Sequence, residues 1–102
     1  LTAIWTSPDL AQGARVNLQV YVTGSNADGT VYATYKKEAQ YYRATGGSTA
    51  LQGSVADLMT PRESDAGLDC DFNVSGNAVE VRVNDGGVDT VDWKAWIEAR
   101  TA

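Results

Sequence analysis

Histidine is missing from all 102 residues, and Cys70 is the only cysteine. Without imidazole the chain lacks the commonest general base and the commonest metal ligand. Ser-His-Asp and Cys-His nucleophilic sites are therefore excluded, and a transition-metal centre is not expected. A single cysteine closes no intrachain disulfide. Basic residues are scarce as well, eight against thirteen acidic, and the net charge of −5 repels phosphate backbones and anionic lipid. No apolar run nears the roughly 18 residues of a membrane span, and the start has neither the basic flank nor the apolar core of a signal peptide. Neither nucleic acid nor membrane is expected as a partner, and the chain reads as soluble.

What is present is alternation. Leu68, Cys70, Phe72 and Val74 fall on one face of a strand, Val79, Val81 and Val83 repeat the pattern after Ser75-Gly76-Asn77, and Asp69, Asp71, Asn73, Glu80, Arg82 and Asn84 take the opposite face. This is a β-hairpin. Val16, Leu18, Val20 and Val22 alternate with Arg15, Asn17, Gln19, Tyr21 and Thr23 in the same way, and the loop Gly24–Gly29 turns the chain into Thr30–Tyr35, a second hairpin. The pattern loosens after Lys36, yet Ala39–Ala44 still suits a strand before the Gly46-Gly47 break. Leu51–Leu58 reads as a weaker strand, and Thr60–Gly67 as a surface loop.

Residues 91–100 admit two readings. Trp93, Trp96, Ile97 and Arg100 match a helical stripe with Thr90 or Asp92 as N-cap. Strand alternation, which is favoured, puts Val91, Trp93, Ala95, Ile97 and Ala99 inward and Asp92, Lys94, Trp96 and Glu98 outward, with Asp85-Gly86-Gly87 reversing Ala78–Asn84 into it as a further hairpin. Short strands at regular spacing with Gly, Asn and Asp in the turns predict an all-β fold, an antiparallel β-sandwich of jelly-roll-like type with six to eight strands. The expected core is Trp5, Val16, Leu18, Val20, Val22, Leu51, Val55, Leu68, Phe72, Val74, Val79, Val81, Val83, Trp93 and Ile97. A chain of this length buries about two-thirds of its unfolded surface and needs no cofactor to fold, so one sandwich domain over residues 1–102 is expected. It begins with Leu1 instead of Met, which suggests the C-terminal part of a longer chain.

Chemistry has few places to hide. Asp69 and Asp71 share a strand face, and Asp89 and Asp92 lie near the next turn, but outward carboxylates on a sandwich are more often a solvated face than a glycosidase pair. Asp65, Asp69 and Asp85 to Asp92 sit in or beside loops where calcium could bind, though their spacing matches no EF-hand and turn formation is the plainer role. Cys70, between two aspartates in an inward row, reads as a small buried hydrophobe and not a reactive thiol. No catalytic, cofactor or metal residues are assigned. The outward aromatics are more informative: Tyr21, Trp96 and one of Tyr41 and Tyr42 would stand on polar faces, where such rings anchor interfaces or stack on sugars.

The second half carries a resemblance. Tyr41-Tyr42-Arg43-Ala44-Thr45-Gly46-Gly47, Asp65-Ala66-Gly67-Leu68-Asp69, the hairpin Asn73–Val83 and the closing Thr90–Glu98 are similar to a module recurring in tailed-bacteriophage virion proteins. That module occurs at the C-terminal ends of fibre, spike and head- or tail-decorating proteins. Its pattern is D-A-G, then S-G-N-x-V-x-V-x-V, then an apolar-polar-Trp run, and this chain departs from it in having Val91-Asp92-Trp93 for the commoner Ile-Asn-Trp. The resemblance implies a non-enzymatic structural protein on the particle surface, a homotrimer that decorates or stabilises the capsid or forms a fibre tip. Implied partners are itself, other virion proteins such as the major capsid or fibre and tail proteins, and a host surface glycan. The interface candidates are Trp96, Tyr21, Tyr41 and Tyr42. The alternative expectation is a carbohydrate-binding module of an extracellular enzyme or adhesin, with outward tyrosines and Trp96 as the sugar platform.

Overall fold

Eight antiparallel strands and no helix make up the computed structural model, which describes residues 1–87 and 90–101. The strands are β1 (Thr2–Thr6), β2 (Arg15–Ser25), β3 (Tyr32–Arg43), β4 (Thr49–Asp57), β5 (Arg62–Glu63), β6 (Leu68–Ser75), β7 (Ala78–Asp85) and β8 (Asp92–Thr101). The smaller sheet has the order β1-β7-β6, and the larger has β4-β3-β2-β8, with the short β5 following β4 along the same edge of β3. The two pack face to face, so the expected β-sandwich is the fold found.

The most regular pairing joins β2 and β3 without interruption from Arg15 opposite Tyr42 to Ser25 opposite Tyr32. Inward on β2 are Val16, Leu18, Val20 and Val22, all buried, and beside them on β3 stand Tyr41, Ala39, Lys37, Tyr35 and Ala33. Lys37 is why the alternation weakens on paper. It holds an inward register position by pairing with Asp57 at 3.1 Å, with its ammonium 5.7 Å from the centre of the Tyr35 ring. In the smaller sheet, β6 and β7 form the expected hairpin with Ser75 opposite Ala78, which leaves a two-residue turn of Gly76 and Asn77. Gly76 has φ +61°, as the first central position of a type II′ turn requires.

Two clusters fill the space between the sheets. One gathers Val20, Val22, Ala33, Tyr35, Leu68, Cys70, Val81 and Val83, and the other Leu10, Val16, Leu18, Ala39, Tyr41 and Val79. Half-buried Trp5, Phe72 and Ile97 touch both and join them into one core. Leu10, in the connection from β1 to β2, plugs one end: its N–H donates to Asn77 O at 2.9 Å, and its carbonyl accepts from Arg43 Nη1 at 2.8 Å.

Several expectations are corrected. Leu51 and Val55 are on the inward side of β4 but are exposed, because a sheet three strands wide covers the middle of the larger one and leaves its edge bare. Residues 92–101 form a strand, as favoured, yet β8 does not make a hairpin with β7. Both edges of β7 are occupied, by β1 and β6, so the chain crosses to the other sheet and β8 takes the free edge of β2. The strand order also departs from a jelly roll, since β2, β3 and β4 are neighbours in sequence order, as their tight connections dictate. The loop at 60–67 contains β5, which pairs Arg62 with Thr34 and Glu63 with Ala33. Asp89 lies outside the described residues.

Candidate interaction face on the larger sheet

The side of the larger sheet that faces away from the core has no cover. Because β2, β3 and β8 are in strict register, its side chains form rows. Trp96 on β8 lies opposite Tyr21 on β2, and Lys36 on β3 flanks Tyr21 on its other side. The next row is Glu98, Gln19 and Glu38, in which Gln19 Nε2 donates to Glu38 Oε2 at 2.7 Å. Tyr21 and Trp96 are 40% and 58% exposed. Their ring centres are 5.6 Å apart and their planes meet at 73°, an edge-to-face contact. Such a pair fixes both rings before anything binds, which lowers the entropy cost of docking onto them. A shallow depression of about 390 Å³ runs beside Tyr21, Trp96, Lys36 and Glu98.

Of the other two candidates, Tyr42 lies on this face, half-buried, with the Arg15 guanidinium carbon 5.0 Å from its ring centre. Tyr41 does not. It is 3% exposed in the core, 6.3 Å from the Phe72 ring, and burial pushes its phenol above the usual value. Strand parity sends adjacent tyrosines to opposite faces, and the register puts Tyr41 beside Val16. Sequence reasoning missed Tyr32, 52% exposed at the end of this face. Its signal was available in the pairing of Tyr32 with Ser25, once the hairpin is aligned.

Near Tyr32 the face dips into a trough of about 690 Å³, lined among others by Ser25, Ala27, Asp28, Ala33, Thr34, Asp92 and Lys94. The β2–β3 loop forms one wall and is tied by its own hydrogen bonds. Asn26 Oδ1 accepts from Val31 N, and Asp28 Oδ1 accepts from Thr30 N at 3.1 Å and Thr30 Oγ1 at 2.7 Å. The Thr30 hydroxyl holds the Asp28 carboxyl below its usual range.

Four other aspartates hold structural hydrogen bonds. Asp71 accepts two hydrogen bonds from Arg82 across the β6–β7 ladder, at 2.9 and 2.8 Å. Asp65, Asp69 and Asp85 accept from the backbone N–H groups of Gly67, Cys70 and Gly87. Among the described residues no group of His, Cys, Asp or Glu could hold a metal ion. Cys70 is buried, and desolvation pushes its thiol up to about 12, so it is not a nucleophile at neutral pH. The chain matches no family model, and no curated protein or solved structure is significantly similar to it.

Proposed function

We propose that this chain is a non-enzymatic structural protein of a bacteriophage virion, a homotrimeric β-sandwich that decorates or stabilises the capsid or forms the tip of a head or tail fibre. The virion setting and the number three come from the resemblance of residues 41–98. The observation that carries the assembly role is the exposed Tyr21–Trp96 pair, midway along β2 and the edge strand β8, on an open sheet face. The core is complete without these two rings. Burying one tryptophan between subunits removes on the order of 200 Å² from water, several kcal/mol at about 25 cal/mol per Å² before the cost of association. Multi-angle light scattering at tens of micromolar is expected to give a trimer, and Trp96→Ala to shift it to monomer while the β-sheet circular dichroism persists. A trimer indifferent to Trp96→Ala would reject this face as the contact.

A second reading, a carbohydrate-binding module, draws on the trough beside Tyr32, where hydroxyl, carboxylate and ammonium groups lie within reach of an exposed ring. Saturable glycan binding abolished by Tyr32→Ala, with no effect of Trp96→Ala on oligomeric state, would favour it.

A further inference from the structure

Charge is distributed unevenly over this acidic chain. By register, the open face of the larger sheet carries Arg15, Lys36, Arg62, Lys94 and Arg100 against Glu38, Asp92 and Glu98, with Asp28 in the wall of its trough, a surplus of one cation on a chain of net charge −5. The long side where β5 and β6 lie is the reverse. Glu63 is on β5, Asp65 in the connection to β6, and Asp69 and Asp71 on β6, which is the edge strand of the smaller sheet. Arg82 compensates Asp71 and Lys37 compensates Asp57, which leaves Glu63, Asp65 and Asp69 as the unpaired charges of this side among the described residues.

Two copies joined open face to open face would set like charges against each other, which costs affinity and slows encounter. A copy that presents its β5–β6 side is attracted instead. We infer that the open face, with Tyr21 and Trp96 toward its β8 edge, docks the acidic β5–β6 side of a second copy of this chain, so that copies join head to tail. This rests on the self-association proposed above and names the surface that answers the aromatic pair. Strands of β2, β3, β4 and β8 about 4.8 Å apart, each about ten residues long at about 3.3 Å per residue, make a face on the order of 600 Å². That approaches the roughly 800 Å² per partner of a stable complex, and aromatic residues are enriched in such interfaces. A head-to-tail contact uses two patches that point in different directions on each copy, so one pair of copies cannot engage both. Such a contact closes into a ring where its rotation permits and otherwise propagates as a filament, so the number three still comes from the resemblance alone.

A mixing experiment tests this. Lys36→Glu with Trp96→Ala disables the face, and Asp65→Lys with Asp69→Lys reverses the side. Each double variant alone is expected to sediment as a monomer with the wild-type circular dichroism. An equimolar mixture is expected to form a one-to-one dimer, because each supplies the patch the other lacks. If the wild type assembles but the mixture stays monomeric, the head-to-tail contact is wrong while self-association stands; a monomeric wild type removes both. Should the lysine pair fail to fold, Asp65→Asn with Asp69→Asn replaces it, with several-fold weaker association of that variant expected. Raising salt from about 0.05 to about 0.5 M is also expected to weaken wild-type assembly, and an assembly unmoved by both salt and the asparagine pair overturns the proposal.

Discussion

Strands β2 and β4 belong to the same sheet, and both put branched aliphatic side chains on the inward side. On β2, Val16, Leu18, Val20 and Val22 are at most 3% exposed, whereas on β4 Leu51 and Val55 are 39% and 37% exposed. The difference lies in what is above them. Sheet β1-β7-β6 spans the centre of the larger sheet, so β2 gains a second layer and β4 at the edge does not. Alternation therefore reports which side of a strand is inward, and strand order decides whether that side is covered. An uncovered edge with an apolar row is a liability in an isolated domain, and here it lies next to the acidic β5–β6 side that the head-to-tail contact would cover.

The largest expected effect tests this contrast directly. Leu18→Ala opens a cavity in a fully buried site and should cost about 2 to 5 kcal/mol, while Leu51→Ala should cost about 0.5 kcal/mol or less. Urea titration of both changes in the Trp96→Ala background checks it, and equal losses would dissolve the distinction between covered and open strands. Next comes alkaline stability, which probes the covered half alone. Burial raises the thiol of Cys70 from 9.0 to about 12, and it raises the phenols of Tyr35, which donates to Glu63 at 2.6 Å, and of Tyr41. The folded state keeps these protons where the unfolded state loses them, so stability falls as pH rises above 9. The slope from Cys70 is up to about 1.4 kcal/mol per pH unit until its folded value is reached. Cys70→Val should flatten that slope between pH 9 and 12 in thermal melts, and an unchanged slope would assign it to the tyrosines. The smallest effect concerns the outer side of the smaller sheet. Asp71 and Arg82 keep 34% and 27% side-chain exposure, so water screens their bidentate pair. In the Trp96→Ala monomer a double-mutant cycle should give a coupling of about 0.5 to 1 kcal/mol, and a larger value in the assembled wild type is expected if the β5–β6 side is covered by a second copy.

The sequence made the sandwich legible wherever covered strands alternate strictly. Arg15–Thr23 and Leu68–Asn84 were legible to within a residue or two of the strands found, and the outward placement of Tyr21 and Trp96 followed from parity alone. It misled where a local pattern had to stand for a distant neighbour. Leu51 and Val55 look like core because the pattern carries no information about sheet width. The crossing from β7 to β8 looks like a hairpin because Gly86-Gly87 permits a tight turn, while the occupied edges of β7, which forbid it, are set by β1, far away in the chain. Lys37 disguised the inward row of β3 because its partner Asp57 is on another strand. The candidate face was legible in its aromatics and not in its charge, since Arg15, Lys36, Arg62, Lys94 and Arg100 are scattered through the sequence and meet only through strand pairing.

Gly24 faces inward on β2 opposite Trp93, and a methyl group added to it would sit 2.6 Å from carbons of the indole. The indole therefore lies over bare backbone, and this fastens β8 at its first turn of pleat. Farther along, Ile97 is half-buried, but Ala95, Ala99 and Thr101 turn only small, exposed side chains inward. Opening of β8 is thus expected to start at Ala99–Thr101 and run back toward Trp93. A side chain at Gly24 would displace the indole and loosen the other end too. Since Trp96 rides on that strand, the smallest residue on the hidden side of the sheet bears on how firmly the aromatic pair on the open side is held.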